Sequence, residues 1–226
     1  MKKELLLGYD MRLHPEDCKG DWSKQRKSIY LLNENTEYPL SVDINVWPSI
    51  FEFREGNPEA PRSCISSAGK VIAPSKVIVD IDHSGVDAFY NTWSAYEEMS
   101  RYASIHEYPA NIVPVALTLI LTNILTNDVL SYYSLKEKVE MAKHYIPATL
   151  SFVGYDIGDV GMISGLTNCG YTKKSKTDIY DKYHNKMNYY GLFDEYHVAH
   201  DYKEMTNHRV KSHAPFYVYG IYADLK

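Results

Sequence analysis

Cysteine is scarce in this chain: Cys18, Cys64 and Cys169 are widely spaced among 226 residues, and no CxxC pair occurs. An odd number of unpaired thiols argues against a disulfide framework, and the spacing argues against a structural zinc site. We therefore expect three reduced thiols and a reducing compartment.

Long hydrophobic runs are also missing. The longest apolar stretch, Ile112 to Leu125, is interrupted by one proline and three polar residues. It falls short of the roughly 18–20 apolar residues that cross a bilayer. The N-terminal apolar run stops after Leu7, whereas a secretory signal needs about 7–15 apolar residues. We expect a cytoplasmic protein without membrane contact.

A basic stripe, the usual mark of a nucleic-acid-binding protein, is absent from the first three quarters of the chain. The net charge is −5, with −7 over residues 1–171 and +2 over residues 172–226. Direct binding of nucleic acid is therefore disfavoured. A mildly acidic protein suits a basic protein partner.

Common nucleotide-binding, hydrolase and metal motifs are absent: the sequence contains no GxxxxGK[ST], GxGxxG, GxSxG, HExxH or EF-hand loop. Each of these supplies a physical need, such as backbone amides for phosphate, an exposed nucleophile or metal ligands on one helix face. The sequence thus indicates no cofactor, no resident metal and no catalytic residue.

The segments that are present predict an α+β fold. Five segments rich in branched and aromatic residues predict strands: Glu4–Leu13, Val42–Phe53, Lys76–Asp82, Thr149–Asp156 and Phe216–Asp224. Capping residues and helical periodicity predict helices over residues 84–100, 134–146 and 177–190, and a second helical stretch after the last of these. Residues 112–133 fit either a buried helix or a strand followed by a helix.

This order lacks strict β-α-β alternation, which favours a mixed or mostly antiparallel sheet with helices packed on it. We expect one globular domain over residues 1–226, with a long surface loop at about 55–74 where proline and glycine cluster.

Tyrosine is abundant: 21 residues, against 6 Phe and 3 Trp. Its apolar ring and polar hydroxyl suit half-buried sheet faces and interfaces. Two predicted strands share a pattern, LGYDM at 7–11 and VGYDI at 153–157. We interpret them as similar positions, where glycine admits a close neighbour.

The first candidate site is Asp80-Ile81-Asp82-His83, at the end of a predicted strand. Two carboxylates with a histidine could hold a divalent metal or act as acid and base. The alternative is that Asp82 and Ser84 cap the following helix while Asp80 is solvated. Because no second ligand cluster is evident, the sequence favours that alternative.

The second candidate site is the pair His197 and His200. On a helix they would share one face and could bind a metal or a phosphate. Since no Glu or Cys partner stands at metal-site spacing, a solvated histidine pair is favoured.

The third candidate is the glycine-rich segment 154–171, GYDIGDVGMISGLTNCGY. Five glycines predict special backbone angles, and such loops often carry function. Asp156 and Asp159 could bind a cation or a basic partner, whereas Cys169 has no signature of a nucleophile.

This segment resembles part of some uncharacterised bacterial proteins of about this length, among them proteins similar to immunity proteins of polymorphic-toxin and contact-dependent inhibition loci. The resemblance covers 18 of the 226 residues. It implies a cytoplasmic protein that binds and blocks one cognate toxin and has no catalytic residues.

An acidic stretch between Asp80 and Glu107 fits that role, since six acidic residues stand there against Arg101 alone. Such a face could steer a basic toxin, or it could be ordinary solvated surface. The predicted partner-binding residues are Asp80, Asp82, Asp87, Glu97, Glu98, Asp156 and Asp159. We expect a non-enzymatic immunity protein. The alternatives are a small hydrolase using Asp80, Asp82 and His83, and a structural or regulatory subunit that oligomerises through its tyrosine-rich surface.

Overall fold

The computed structural model describes residues 3–15, 40–43, 46–47, 86–87, 92–93, 96–97, 99–100, 112–121, 145–159, 161–167, 179 and 181–225. Its strands are β1 (Lys3–Leu13), β2 (Val86–Asp87), β3 (Thr92–Trp93), β4 (Ile112–Leu121), β5 (Ser151–Gly158) and β6 (Tyr217–Ala223). They form one sheet in the order β2-β3-β1-β4-β6-β5, with antiparallel neighbours throughout. Helix α1 spans Tyr196–Arg209, and a 3-10 turn spans His184–Lys186. The predicted α+β class is confirmed.

Three predicted strands, those near the N-terminus, at 149–156 and at the C-terminus, are confirmed as β1, β5 and β6. The ambiguous apolar segment begins as strand β4, which lies in the middle of the sheet between β1 and β6. Both faces of a central strand are covered, so its sequence is apolar except for Thr118 and carries no clear period.

The four long strands are related by a local two-fold axis, whose centre is the Leu117–Ile221 pair of β4 and β6. β1 pairs with β4 in the same register in which β5 pairs with β6. Each outer strand has a bulge, immediately before Gly8 in β1 and immediately before Gly154 in β5. The two Gly-Tyr-Asp patterns therefore occupy equivalent positions in the sheet.

The two faces of the sheet are covered differently. On one, the segment face, the side chains of Leu40, Val42 and Trp47 cluster with apolar residues of the sheet. On the other, the helix face, α1 packs on Tyr155 and Val218, towards the β5 side. Among the described residues, no helix combines the length and the apolar character needed to cross a membrane.

The helix predicted over residues 84–100 is wrong at residues 86–87 and 92–93, where the described backbone is strand. Val86 pairs with Trp93, and Asp87 pairs with Thr92, in a short antiparallel ladder that adds to β1 through Trp93 and Tyr9. The apolar spacing suited a helix, but β-branched and aromatic residues at the pairing positions also favour a strand. Helical backbone is found only later, at residues 96–97 and 99–100 of the described chain.

The strand predicted over Val42–Phe53 is wrong where it is described. Residues 42–43 and 46–47 form a bend and a turn, in which Val46 and Trp47 donate backbone hydrogen bonds to the carbonyl oxygen of Asp43. Val42 donates its backbone N–H to a side chain of β5. The apolar side chains here do pack on the sheet, but from a loop that crosses it.

The helix predicted over residues 177–190 ends early. Residues 181–183 are helical and the 3-10 turn follows, but Met187 is extended and bridges to Phe193. Asn188 then forms a turn, because its side-chain oxygen accepts hydrogen bonds from the backbone of Tyr190 and Leu192. The helix predicted over 134–146 is wrong at its end, since residues 145–147 are not helical.

Other sequence predictions fall outside the described residues. These are the strand Lys76–Asp82, the loop at about 55–74, most of the helix over 134–146 and all three cysteines.

The bulge of β5 depends on Gly154, and this gives a first test. Gly154 has φ of +155°, and a Cβ there would lie 2.6 Å from the Cβ of Leu192. Replacing Gly154 with alanine should lower the free energy of unfolding by roughly 1–3 kcal/mol, because the neighbouring backbone would have to shift. Urea unfolding measures this.

Ser151→Ala is the matched control, since Ser151 is exposed on the same strand. It should change the stability by no more than about 0.5 kcal/mol. Equal stability of the two variants would contradict the close packing of Gly154.

Candidate functional site

Asp156, in the glycine-rich segment, lies in the interior of the protein. Its carboxylate accepts hydrogen bonds from the hydroxyls of Ser41 (2.6 Å) and Ser164 (2.8 Å) and from the backbone N–H groups of Val42 (2.9 Å) and Ile157 (2.7 Å). The residue is fully buried. Asp156 fastens residues 41–42 to β5. Its assignment as a partner-binding residue stays a prediction, and the contacts favour a structural role.

Asp10 is the equivalent residue of β1, and it is also buried. It forms an ion pair with Arg12, which lies on the same strand and is buried too. Arg12 donates further hydrogen bonds to the carbonyl oxygens of Ser41, Val42 and Trp47. The two equivalent strand positions thus hold opposite sides of one crossing segment, residues 40–43 and 46–47.

Asp159 lies at the margin of the interior, 8 % exposed. Its carboxylate accepts a hydrogen bond from the backbone N–H of Ile163 (2.9 Å), and its other oxygen lies 3.0 Å from Nδ1 of His213. The hydroxyl of Tyr219 donates to its carbonyl oxygen. These contacts order the start of the glycine-rich loop and leave the carboxylate little surface for a partner.

The burial of Asp156 predicts a specific pH dependence of stability. Desolvation raises the pKa of its carboxyl to about 6, although its four hydrogen bonds act in the opposite direction. A raised folded-state pKa contributes stability that is present below the unfolded-state pKa and is lost as the pH rises through about 6. The stability of the wild type relative to Asp156→Asn should therefore fall on the order of 3 kcal/mol between pH 3.5 and 7. Urea unfolding across that range measures it.

Asp201→Asn serves as the control with the opposite sign. Asp201 accepts hydrogen bonds from Lys182 and Tyr183, which lower the pKa of its carboxyl. Its contribution is present at neutral pH and declines as the pH falls. Parallel stability curves for the wild type and Asp156→Asn would contradict the predicted titration.

The two candidate histidines lie on α1, the helix that this candidate site requires, and each contacts a different acidic residue. His197 Nδ1 lies 3.0 Å from a carboxylate oxygen of Glu195, and both side chains are exposed. His200 lies beside Tyr196, with ring centroids 5.8 Å apart, and 3.6 Å from Glu204 one turn later. The contacts favour the solvated-pair interpretation.

A cleft of about 360 Å³ opens beside His197 at the start of α1. It is lined by Asn185, Lys186, Met187, Asp194, Glu195, His197 and Val198. Within the described ranges, no three His, Cys, Asp or Glu residues are grouped as metal ligands.

Several predicted site residues lie outside the described part of the chain or are described only in part. Asp80, Asp82, His83 and Glu98 lie outside the described residues, and only the backbone of Asp87 is described, in β2. Glu97 is exposed. Burial is the main cause that raises the pKa of Tyr9, and the negative charge of Glu97 is the second. The hydrolase alternative therefore stays a prediction.

An aromatic row, defined here as Tyr222, Phe152, Tyr155, Tyr196 and His200, crosses the helix face. Successive ring centroids lie 5.2, 4.7, 6.0 and 5.8 Å apart. Phe152 is 39 % exposed, while Tyr155 is buried beneath it. The row continues from the sheet onto α1, and Phe152 is its exposed ring.

A half-buried carboxylate adjoins this row. Glu4 accepts hydrogen bonds on Oε1 from the hydroxyls of Thr118 (2.6 Å) and Tyr222 (3.0 Å). Burial and the charge of Glu4 raise the pKa of Tyr222 strongly. Gly220 leaves the necessary space, because a Cβ there would lie 2.4 Å from the Thr118 hydroxyl and 3.0 Å from Oε1.

Sequence reasoning missed Glu4, Thr118 and Phe152. The available signals were an acidic residue at the start of an apolar strand and the abundance of tyrosine. Neither signal says that β1, β4 and β6 bring these residues together, because that depends on non-local pairing.

Comparison with protein-family models, with curated proteins and with solved structures finds no match for this chain. The functional argument therefore depends on the contacts described above.

Proposed function

We propose that this chain is a non-enzymatic cytoplasmic binding protein, an immunity protein that binds and neutralises a cognate bacterial toxin. The observation that supports this best is the partly exposed aromatic row on the helix face. Binding energy in protein interfaces concentrates in a few aromatic and arginine anchors, and rings held by their neighbours lose little entropy on binding.

The positions of the buried acids support the same function. Asp10 and Asp156 are used to hold the fold, and the hydroxyl of Ser164 is hydrogen bonded to Asp156 in the interior. Glu97 is exposed and Glu4 is half-buried, so both contribute negative charge at the surface. With a net charge of −5, such a surface suits a basic toxin.

The exposed ring of Phe152 gives a direct test. Phe152→Ala should weaken the binding of the toxin by about 2 kcal/mol, or roughly 30-fold, because a central aromatic anchor is lost. The toxin is first captured from the native host with the wild-type chain, and it must prove toxic when expressed alone. Its affinity for each variant is then measured by calorimetry, and protection by growth on co-expression.

Tyr189→Ala is the matched control, since Tyr189 is 44 % exposed but lies outside the aromatic row. It should bind and protect as the wild type does. Equal binding by Phe152→Ala and Tyr189→Ala, or capture of no toxic protein, would contradict the proposal.

A second prediction concerns how the toxin approaches. Glu97→Lys should slow association several-fold at low salt and leave dissociation nearly unchanged, because exposed charges act mainly on the encounter. Stopped-flow kinetics across a salt series measures both rates, and the difference should shrink as salt screens the charge.

Asp181→Lys makes the same change of charge at another exposed position. If both variants associate at the same rate, steering depends on net charge alone and Glu97 is ordinary surface.

A further inference from the structure

Among the described residues, the carboxylate of Glu4 accepts hydrogen bonds on Oε1 alone, and no cation lies within ion-pair distance of either of its oxygens. By contrast, both oxygens of Asp156 accept two hydrogen bonds each. A half-buried negative charge of this kind favours a ligand that brings a positive charge to Oε2.

The residues around Glu4 favour a guanidinium or ammonium group over a metal ion. A ring carbon of Phe152 lies 3.7 Å from the position that a Cβ of Gly220 would occupy, and Oε1 of Glu4 lies 3.0 Å from that same position. Tyr222 lies next to Phe152, with the two ring centroids 5.2 Å apart. Aromatic faces attract guanidinium and ammonium groups, whereas Ca²⁺ and Mg²⁺ need several oxygen ligands.

Access to the site is open at Phe152, whose ring is exposed on one side and packed against Tyr155 on the other. Gly220, which is buried beneath the ring, has no side chain to separate Phe152 from Glu4. A long side chain with a terminal cation could therefore lie along the Phe152 ring and reach Glu4.

We propose that Glu4, Thr118, Phe152 and Tyr222 form a binding site for an arginine or lysine side chain of the toxin. This inference rests on the proposed function, to which it adds the chemistry of the group that is recognised. Glu4 supplies the counter-charge, the two hydroxyls orient its carboxylate, and the rings contact the cation.

The test uses small probes, so that it does not depend on the toxin. N-acetyl-arginine amide is titrated into the full chain, and the ring signals of Phe152 and Tyr222 are followed by NMR. N-acetyl-citrulline amide, which has nearly the same shape without the charge, is the matched probe. We expect roughly millimolar binding of the arginine compound, and binding of the citrulline compound at least about tenfold weaker.

Two variants link the binding to the site. Glu4→Gln retains an oxygen for both hydroxyls and removes the charge, so it should weaken the binding of the arginine probe by about tenfold or more. Phe152→Leu keeps the apolar contact and removes the ring, and it should weaken binding several-fold. Asp181→Asn, which removes an exposed acid outside the site, should bind as the wild type does.

The inference is overturned if the two probes bind equally, if neither binds, or if Glu4→Gln and Phe152→Leu both bind the arginine probe as the wild type does. If the toxin is lost with Phe152→Ala but bound normally by Glu4→Gln, the proposed function stands and the cation site fails. If the probe binds through Glu4 and no toxic partner exists, the cation site stands and the proposed function fails.

Discussion

The fold depends on two buried polar anchors that hold one crossing segment against the sheet. Arg12, paired with Asp10, binds three carbonyl oxygens of residues 41–42 and 47, and Asp156 binds a hydroxyl and an N–H of residues 41–42. Without these partners, the backbone of the segment would lie buried with unsatisfied groups, which costs several kcal/mol. The anchors also fix the position of the segment along the sheet, since each carboxylate can reach its partners only from its own place on the strand. The apolar packing of Leu40, Val42 and Trp47 on the sheet follows from them.

The local two-fold axis separates the roles of the two faces. On the segment face, the equivalent residues Asp10 and Asp156 both help to hold the crossing segment, Asp10 through its ion pair with Arg12 and Asp156 directly. On the helix face, equivalent positions differ: Leu6 corresponds to Phe152, and Thr118 corresponds to Tyr222. Shared chemistry on one face serves folding in both halves. The differences on the other face produce the aromatic row and the site of Glu4, which a symmetric sheet would not contain.

The sequence predicts the parts of the fold that depend on local pattern. Apolar runs bounded by glycine and charge identify β1, β5 and β6, and the repeated Gly-Tyr-Asp pattern indicates similar positions. Prediction fails where a tertiary contact overrides the local pattern: Val86 and Trp93 pair in a ladder, and Asn188 ends a helical stretch with its side chain. It also fails for burial. Asp156 stands in a glycine-rich segment, which is typical of a surface loop. Its burial becomes evident only from its hydrogen bonds with Ser41, Val42 and Ser164.

The three carboxylates Asp156, Asp10 and Glu4 show how burial and hydrogen bonding decide the role of a charge. Asp156 receives four neutral donors, and Asp10 receives Arg12, so neither projects much charge to the surface. Glu4 is held by two hydroxyls on one oxygen, in a half-buried position beside exposed aromatic rings. In the proposed cation site, this half-buried carboxylate is the counter-charge of the ligand. The acids counted together in the sequence therefore divide into those that stabilise the protein, such as Asp10 and Asp156, and those to which we assign a role in binding, Glu4 and Glu97.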